Sequence, residues 1–279
     1  MSSNQHHDTE LLPHYNKCTG STFEHKQQPV ACSISEPAFI MTEPTLTTPN
    51  LYTPSDLHSK PALVTQITDL INDAFTRSKK PDPIKWRQGE RRRFPIDDLY
   101  FEMLGNDGIA AVIFDSPSND RERNKVVAVA AAVPWSGGWK KEGAGVEEGW
   151  EIKAVAVNGD EKYLGRGLAV QLYAFLEQHL VQKSKQLGVS TIGRRFEEKD
   201  RLTLWILAAE CINGVYWRKR GYELVRKDTA LPPTWGVQTS FELIVLRKNV
   251  PFELPAPAST IESKTSQIDE PARQAVKVN

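Results

Sequence analysis

The sequence predicts an α+β fold with a mixed, mainly antiparallel central sheet flanked by helices. Short apolar runs separated by turn residues are typical of strands, and two longer segments carry apolar residues at helical spacing. These segments follow one another in the order β-α-α-β-β-β-α-β-α-β-β, in which strands and helices are too intermixed for an all-α or all-β domain.

Composition divides the chain of 279 residues into a core and two polar ends. Residues 1–43 and 250–279 are rich in Ser, Thr, Gln and Pro, lack any hydrophobic period, and are predicted to be disordered tails. Residues 44–249 are predicted to form one folded domain, since the 39% hydrophobic content of the chain is concentrated there.

Charge and cysteine content exclude several classes of protein. Lys plus Arg and Asp plus Glu number 35 each, so no basic excess favours nucleic acid or an anionic membrane as a partner. Cys18, Cys32 and Cys211 show no metal spacing, and neither a metal site nor a disulfide framework is expected. Without a signal peptide or a membrane-spanning apolar run, a cytoplasmic location is expected, and the nucleus is not excluded.

The first part of the domain is predicted to hold one strand and two helices. The strand covers residues 45–52, a polar and basic stretch covers 76–94, and the second helix covers 96–104 with Gly105 as its C-terminal cap. Pro61 lies in the first turn of the first helix. The apolar face of that helix is formed by Leu63, Ile67, Leu70, Ile71, Ala74 and Phe75.

The central part predicts three strands followed by a long helix. Residues 109–114 and 126–133 are apolar runs joined by turn residues, and they are expected to be antiparallel neighbours. A loop rich in Gly and Trp leads to a third strand at 151–157. The helix covers 165–187, with Gly188 at its end and one apolar face formed by Leu168, Leu172, Phe175, Leu176 and Leu180.

The last part predicts a buried strand at 202–208, a short helix at 213–220, and strands at 222–226 and 238–246. These elements complete the predicted order and leave no internal repeat.

The turn between the third central strand and the long helix is suited to bind a pyrophosphate. Gly165 and Gly167 permit close approach of a ligand to the backbone, and a helix N-terminus offers unpaired N–H groups. A dinucleotide-binding fingerprint is a competing interpretation, but it requires Gly or Ala where Val170 stands. A third interpretation is a tight strand-to-helix turn that binds no ligand.

A second block, Cys-Ile-Asn-Gly-Val-Tyr-Trp-Arg-Lys-Arg-Gly-Tyr at residues 211–222, follows about forty residues later. Together the two blocks resemble the paired signature of the GNAT acetyltransferase superfamily, and the resemblance is good over residues 125–226. The turn of that family reads Gln/Arg-x-x-Gly-x-Gly/Ala, so Leu164 departs from it at the first position. Trp217 stands where the family usually has Tyr.

The resemblance implies a GNAT-like fold and an acyl-CoA-dependent N-acyltransferase. Acetyl-CoA is the expected co-substrate and an amine, of a small molecule in the first hypothesis, the acceptor. One alternative is transfer to a protein lysine or N-terminus, and another is a non-catalytic acyl-CoA-binding module. The sequence leaves the oligomeric state open. The expected cofactor contacts are Val155, Ala156, Val157, Leu164, Gly165, Arg166, Gly167, Leu168, Ala169 and Asn213.

Acyl transfer requires a neutral amine, and a carboxylate is the usual group that removes its proton. Glu151 is the candidate, because it opens the cofactor strand where histone-type members of the family place their base. Strand geometry is expected to put Glu151, Lys153, Val155 and Val157 on one face. A glutamate that faces solvent or pairs with Lys153 is equally compatible with the sequence. Glu147 and Glu148 are further candidates.

The other catalytic groups are less well defined by the sequence. Backbone N–H groups near Val155 and Ala156 are expected to hold the oxyanion. In the family a tyrosine phenol on the short helix often protonates the leaving sulfur. Trp217 stands at that position, and its indole N–H is not a useful acid. Tyr216, its neighbour on the helix, is the candidate acid, with water or no dedicated acid as alternatives.

Two segments are expected to border the acceptor. The basic stretch at 76–94 is compatible with an acidic acceptor, with CoA phosphates, or with a solvated surface. Trp135, Trp139 and Trp150 are compatible with an aromatic wall for an apolar or cationic group, or with simple packing of a Gly-rich loop.

Overall fold

A computed structural model describes residues 43–89, 93–116, 124–189 and 201–252 of the chain. The predicted N-terminal tail lies outside these ranges except for Glu43, and so does the predicted C-terminal tail beyond residue 252. The last strand extends to Pro251, five residues beyond the predicted Leu246.

The described strands form one seven-stranded sheet in the order β1-β2-β3-β4-β5-β7-β6. Only β4 and β5 are parallel neighbours, and the other five pairs are antiparallel. The predicted α+β class with a mixed, mainly antiparallel sheet is therefore confirmed. The strands are β1 Asn50–Tyr52, β2 Ile109–Asp115, β3 Lys125–Pro134, β4 Trp150–Val157, β5 Arg201–Ala209, β6 Glu223–Ala230 and β7 Phe241–Pro251.

The helices are α1 Pro54–His58, α2 Pro61–Lys79, α3 Asp98–Leu104, α4 Leu168–Val189 and α5 Val215–Arg218. Helix α1 was not predicted from the sequence; it is a single turn that is closed by a reciprocal capping box between Thr53 and Asp56. The long helix α4 continues through Gly188, and a π-helical turn at Glu210–Gly214 precedes α5. No helix within the described ranges is long and apolar enough to cross a membrane.

Helices cover both faces of the sheet, because both faces of its central strands are apolar. On one side, here called the α2 face, Ile67 and Ile71 of α2 pack with Val129 of β3. On the other, the α4 face, Leu172 and Leu176 of α4 pack with buried side chains of β2, β3 and β5. Strand β3 is buried on both faces along most of its length, which explains its unbroken apolar sequence.

A β-bulge interrupts β4 in its middle. Ala154 and Val155 stand together opposite Ala130 of β3, and Ala154 has a positive φ of 50°. As a result Val155 packs on the α4 face, whereas Ala154 packs on the α2 face. The predicted common face for Glu151, Lys153, Val155 and Val157 is therefore wrong, because the extra residue shifts the alternation after Lys153.

Candidate active site

Strands β4 and β5 separate soon after they meet. Their parallel pairing is limited to Trp150 with Leu204 and Glu151 with Trp205. Beyond these pairs, residues 152–155 of β4 and 206–209 of β5 line a cavity of about 890 Å³. The volume falls in the range of ligand pockets, about 300–1,000 Å³. The strand edges that face this gap have no ladder partner among the described residues, so they offer backbone donors and acceptors to a ligand.

Glu151 lies in this cavity at the end where the two strands still pair. Its side chain is buried, with the residue 4% exposed, and it does not face solvent. Lys153 Nζ lies 3.0 Å from Glu151 Oε2. Burial raises the pKa of Glu151 above its ordinary value, although the charges of Lys153 and Arg93 oppose the shift. The predicted pairing of Glu151 with Lys153 is therefore present, and the burial and raised pKa of Glu151 are compatible with a base.

The two further glutamate candidates are not in the cavity lining. Glu147 accepts hydrogen bonds from Arg226 Nη1 at 2.6 Å and from Trp135 Nε1 at 2.8 Å. The hydrogen bond from Arg226, which is the main cause, lowers the pKa of Glu147. The backbone carbonyl of Glu148 accepts from Trp205 Nε1 at 2.9 Å. Of the three glutamates, only Glu151 is among the residues that line the cavity.

The predicted cofactor residues of β4 occupy different environments. Val155 lines the cavity, while Ala156 is buried on the α2 face. The carbonyl oxygen of Val157 already accepts a hydrogen bond from Arg77 Nη2 at 2.6 Å.

Asn213 also lines the cavity, on the β5 side. Its Oδ1 is buried and has no hydrogen-bond partner among the described residues. A buried carbonyl oxygen of this kind is stabilised by a ligand N–H. The amide groups of a pantetheine arm supply such donors, so this residue fits an acyl-CoA in the gap.

The glycine turn lies beyond the other end of β4 and is not part of the cavity lining. Gly165 and Gly167 have φ of 71° and 72°, values that favour glycine, and the space where a Cβ would stand is open at both. Helix α4 begins at Leu168, so its first N–H groups lack intrahelical acceptors. The turn is thus an open helix N-terminus, as the sequence predicts, and such termini favour anions.

The side chains around this turn have separate roles. Leu168 is buried on the α4 face, Ala169 is half-buried and Leu164 is about half exposed. Arg166 Nη2 lies 2.6 Å from Glu43 Oε2, and its Nε donates to the carbonyl oxygen of Lys162. Arg166 is consequently held at the turn and supplies a positive charge there.

Tyr216 is not among the residues that line the cavity. Its ring contacts Trp217 at 5.0 Å and the guanidinium of Arg220 at 3.4 Å. Burial raises the pKa of Tyr216, although the positive charge of Arg220 opposes the shift. Trp217 does line the cavity, on the same side as Asn213. The structure therefore does not bring Tyr216 together with Glu151.

Only one of the three predicted tryptophans reaches the cavity. Trp139 lines it, whereas Trp135 stacks on Trp205 at 4.8 Å and Trp150 packs against the core of the α4 face. Trp235, which the sequence analysis missed, also lines the cavity. It lies in a loop after two prolines, where no periodic pattern or motif could have indicated its position.

Basic side chains from the stretch after α2 take up two different positions. Arg93 lines the cavity beside Phe75, whereas Arg87 is exposed at the surface. Within the described ranges no group of three or more His, Cys, Asp or Glu side chains is placed to hold a metal ion.

Comparison with known proteins gives structural neighbours only. No family model and no curated protein sequence matches the chain. One similar solved structure is NAA60 of Arabidopsis thaliana with a bisubstrate analogue, at 13% identity over 74% of this chain and 99% of that chain, with a TM-score of 0.45.

Two further structures are described as acetyltransferases. A GNAT-superfamily phosphinothricin acetyltransferase of Sinorhizobium meliloti, in complex with acetyl-CoA, shares 13% identity over 78% of this chain and 98% of that chain, with a TM-score of 0.39. A ribosomal-protein-alanine N-acetyltransferase of Brucella melitensis shares 16% identity over 72% of this chain and 99% of that chain, with a TM-score of 0.40. At such low identities and TM-scores, a functional proposal for this chain has to rest on its own residues.

Proposed function

We propose that the protein is an acyl-CoA-dependent N-acyltransferase of the GNAT type, which transfers an acetyl group from acetyl-CoA to the amine of a small molecule. The observation that carries the proposal is the arrangement along β4. A buried carboxylate with a raised pKa lies at one end of the strand, and an open glycine turn at a helix N-terminus lies beyond the other. Between them the gap from β5 leaves an unpaired strand edge.

Acetyl-CoA fits this arrangement from end to end. Its pyrophosphate would bind the N–H groups at the turn, where Gly165 and Gly167 leave room and Arg166 adds a charge. The pantetheine arm would lie against the free edge of β4, with one amide N–H donating to Asn213 Oδ1. The thioester would then lie near the bulge at Val155, whose N–H we assign to the oxyanion.

Direct transfer follows from the position of Glu151. An alkylammonium with a pKa near 10.4 must lose a proton before it can attack. Glu151 accepts that proton, and its raised pKa makes it a stronger base than an ordinary carboxylate. The neutral amine nitrogen then forms a bond to the thioester carbon and the carbon–sulfur bond breaks. The nitrogen releases its second proton to solvent, which leaves the neutral amide, and the leaving thiolate takes a proton from solvent or from Glu151.

No phenol is needed in this scheme. Tyr216, the acid candidate, lies outside the cavity lining, and the indole of Trp217 is not an acid. A thiolate is a fair leaving group without a dedicated acid, because thiols are fairly acidic, with a pKa near 8.5 for that of cysteine.

A calorimetric titration with acetyl-CoA and CoA tests the cofactor site. We expect micromolar binding to the wild-type protein and loss of at least about tenfold in affinity, roughly 1.4 kcal/mol, in Gly167→Trp. Gly105→Trp is the matched control, since Gly105 also has a positive φ of 60° and open space around it, but lies at the end of α3. Equal loss in both variants would mean that backbone strain, and not the turn, is responsible.

Thiol release with a panel of amines then tests transfer. Acetyl-CoA binding together with amine-dependent thiol release supports the enzyme. Tight binding without thiol release for any small amine or lysine peptide would favour a non-catalytic acyl-CoA-binding module, and release with peptides alone would favour a protein substrate. Absence of acetyl-CoA binding would contradict the proposal.

A further inference from the structure

The cavity has two chemically different parts. On the side of β5 its lining is mainly aliphatic, from residues 206–209 and Ile212, with Asn213 as a polar group. On the α2 face, beside Glu151, the lining combines aromatic and cationic side chains. The aromatic and apolar members are Phe75, Leu99, Trp139 and Trp235, and the cationic members are Lys79, Arg93 and Lys153.

The cationic side chains outnumber the single carboxylate of this lining. Lys153 is paired with Glu151 at 3.0 Å. Lys79 donates a hydrogen bond to the carbonyl oxygen of Trp235 and lies 5.3 Å from the ring of Trp86. Arg93 also interacts electrostatically with Glu151, but the ion pair of Glu151 is with Lys153 and not with Arg93.

Arg93 is held in place by aromatic rings and not by an anion. Its guanidinium carbon lies 5.0 Å from the ring centre of Phe75 and 5.3 Å from that of Phe94. Its Nε is buried and lacks a hydrogen-bond partner among the described residues. A buried Nε donor without an acceptor is unfavourable, and a carboxylate matches the geometry of a guanidinium well.

The phosphates of CoA are not the natural partner for Arg93. Arg93 interacts electrostatically with Glu151, at the first end of β4. Val157, the last residue of the strand, lies six residues from Glu151, roughly 20 Å along an extended strand. The glycine turn follows beyond that end of the strand. A pyrophosphate bound at the turn therefore leaves the charge of Arg93 available to the acceptor.

We infer that the acceptor is an amine that also carries a carboxylate and an apolar or aromatic body, as in an apolar amino acid. The carboxylate binds Arg93, the amine points to Glu151, and the body lies against Phe75, Leu99, Trp139 and Trp235. This inference rests on the proposed N-acyltransferase activity, and it narrows the acceptor to one chemical class.

Matched acceptor pairs test the inference directly. L-phenylalanine and phenethylamine differ only in the carboxylate, and so do L-leucine and isoamylamine. In thiol-release assays with acetyl-CoA, we expect the wild-type enzyme to prefer the carboxylate-bearing member by roughly 10- to 100-fold in kcat/KM, the usual size of a charge-assisted contact. Arg93→Met should reduce the preference to within a few-fold, mainly by raising KM, and Arg93→Lys should restore part of it.

Arg87→Met is the matched control, because Arg87 belongs to the same basic stretch but is exposed. It should keep the wild-type preference. Equal use of both members of each pair by the wild-type enzyme would overturn the inference, and this result needs no variant to be folded. A preference that persists in Arg93→Met would overturn the assignment to Arg93.

A binding titration separates this inference from the proposed function. N-acetyl-L-phenylalanine and N-acetylphenethylamine are titrated into wild type and Arg93→Met without CoA. Binding of the acid alone, lost in Arg93→Met, supports carboxylate recognition even if acetyl-CoA fails to bind and the transferase proposal falls. Equal binding of the two compounds, or binding of neither by a protein that binds acetyl-CoA, contradicts carboxylate recognition and leaves the transferase proposal standing.

Discussion

Two carboxylates are buried in the same sheet, yet their environments have opposite effects. Glu151 in β4 is 4% exposed and Asp115 at the end of β2 is 5% exposed. The pKa of Glu151 is raised and that of Asp115 is lowered. Both residues are thus almost inaccessible to solvent, and the hydrogen bonds around each carboxylate contribute to the difference between their pKa values.

Asp115 is surrounded by donors. Tyr163 Oη donates to it at 2.7 Å, the backbone N–H of Thr45 at 2.9 Å, and Lys162 Nζ at 3.3 Å. Burial alone would raise the pKa of Asp115, but these hydrogen bonds together lower it. They connect the start of the sheet to the segment that carries the glycine turn, so Asp115 has a structural role.

Glu151 has one close cationic partner, Lys153, and faces a cavity. That cavity is space that a ligand can fill. Two carboxylates of similar solvent accessibility therefore differ in role: Asp115 is structural because the protein supplies its donors, and Glu151 is chemically available because it lines a cavity.

The largest expected effect that tests this contrast is on the reaction rate. Glu151→Gln should lower kcat/KM for the amine about 10²- to 10⁴-fold, the range for loss of a general base, without changing affinity for acetyl-CoA. In the wild type the rate should rise with pH as Glu151 loses its proton, and this dependence should vanish in the variant. Initial rates of thiol release across a pH series measure both.

Asp115→Asn is the control for that substitution, because it also neutralises a buried carboxylate. At a temperature where it is folded, it should keep kcat within a few-fold of wild type. If Glu151→Gln leaves the rate and its pH profile unchanged, Glu151 is not the base.

The largest expected change in the free energy of unfolding is that caused by a substitution at Asp115. We expect Asp115→Asn to lower the free energy of unfolding by about 1–3 kcal/mol at pH 7, since hydrogen bonds to a charged acceptor are lost. A lowered pKa in the folded state stabilises the protein above the ordinary pKa of 3.8 and ceases to do so as pH falls. Urea unfolding at pH 7 and near pH 3 should therefore show the deficit shrinking with acid. A deficit independent of pH would point to packing instead.

Tyr163→Phe removes a single donor from the same carboxylate. The phenol donates at 2.7 Å and its ring is buried, so the ring packing is kept and only the hydrogen bond is lost. We expect a loss of about 1 kcal/mol in urea unfolding. The pKa of Asp115, followed by carboxyl carbon NMR, should rise toward its ordinary value. An unchanged pKa would show that Lys162 and Thr45 alone account for the shift.

The smallest expected effect is a gain in stability, opposite in sign to the loss expected for Asp115→Asn. Because the folded-state pKa of Glu151 is raised, its ionisation destabilises the fold as pH rises above the ordinary value of 4.5. Glu151→Gln should therefore raise the thermal midpoint slightly at pH 7, and the gain should disappear below about pH 4. Thermal scans at both pH values measure it. A lower midpoint at pH 7 would mean that the pair with Lys153 outweighs the effect of burial.

Local patterns in the sequence predicted most of the fold. Apolar periodicity placed α2 and α4, and the glycines marked the turn whose positive φ values they permit. The bulge at Ala154 was not predictable, because alanine carries no signal for a positive φ. Helix α1 was missed because a single capped turn is too short to show a period.

The candidate site was predictable only in part, for a similar reason. Glu151 and Asn213 could be proposed because each lies at a fixed spacing within a motif. Tyr216 was proposed by adjacency to Trp217, and on a helix adjacent side chains point about 100° apart, which leaves Trp217 in the cavity and Tyr216 outside its lining. Arg93 and Trp235 come from segments without a period, and their place beside Glu151 depends on how distant parts of the chain meet.

The sequence by itself determined the α+β class, the strand and helix order, and the glycine turn at the start of α4, because these depend on side-chain periodicity and on backbone freedom at single residues. Tertiary structure alone decided which buried carboxylate is satisfied by the protein and which faces a cavity. It also decided where β4 and β5 part, and that Arg93, whose buried Nε lacks an acceptor among the described residues, lines the same cavity as Glu151. Those features depend on desolvation and on charges brought together from distant segments, which no local pattern records.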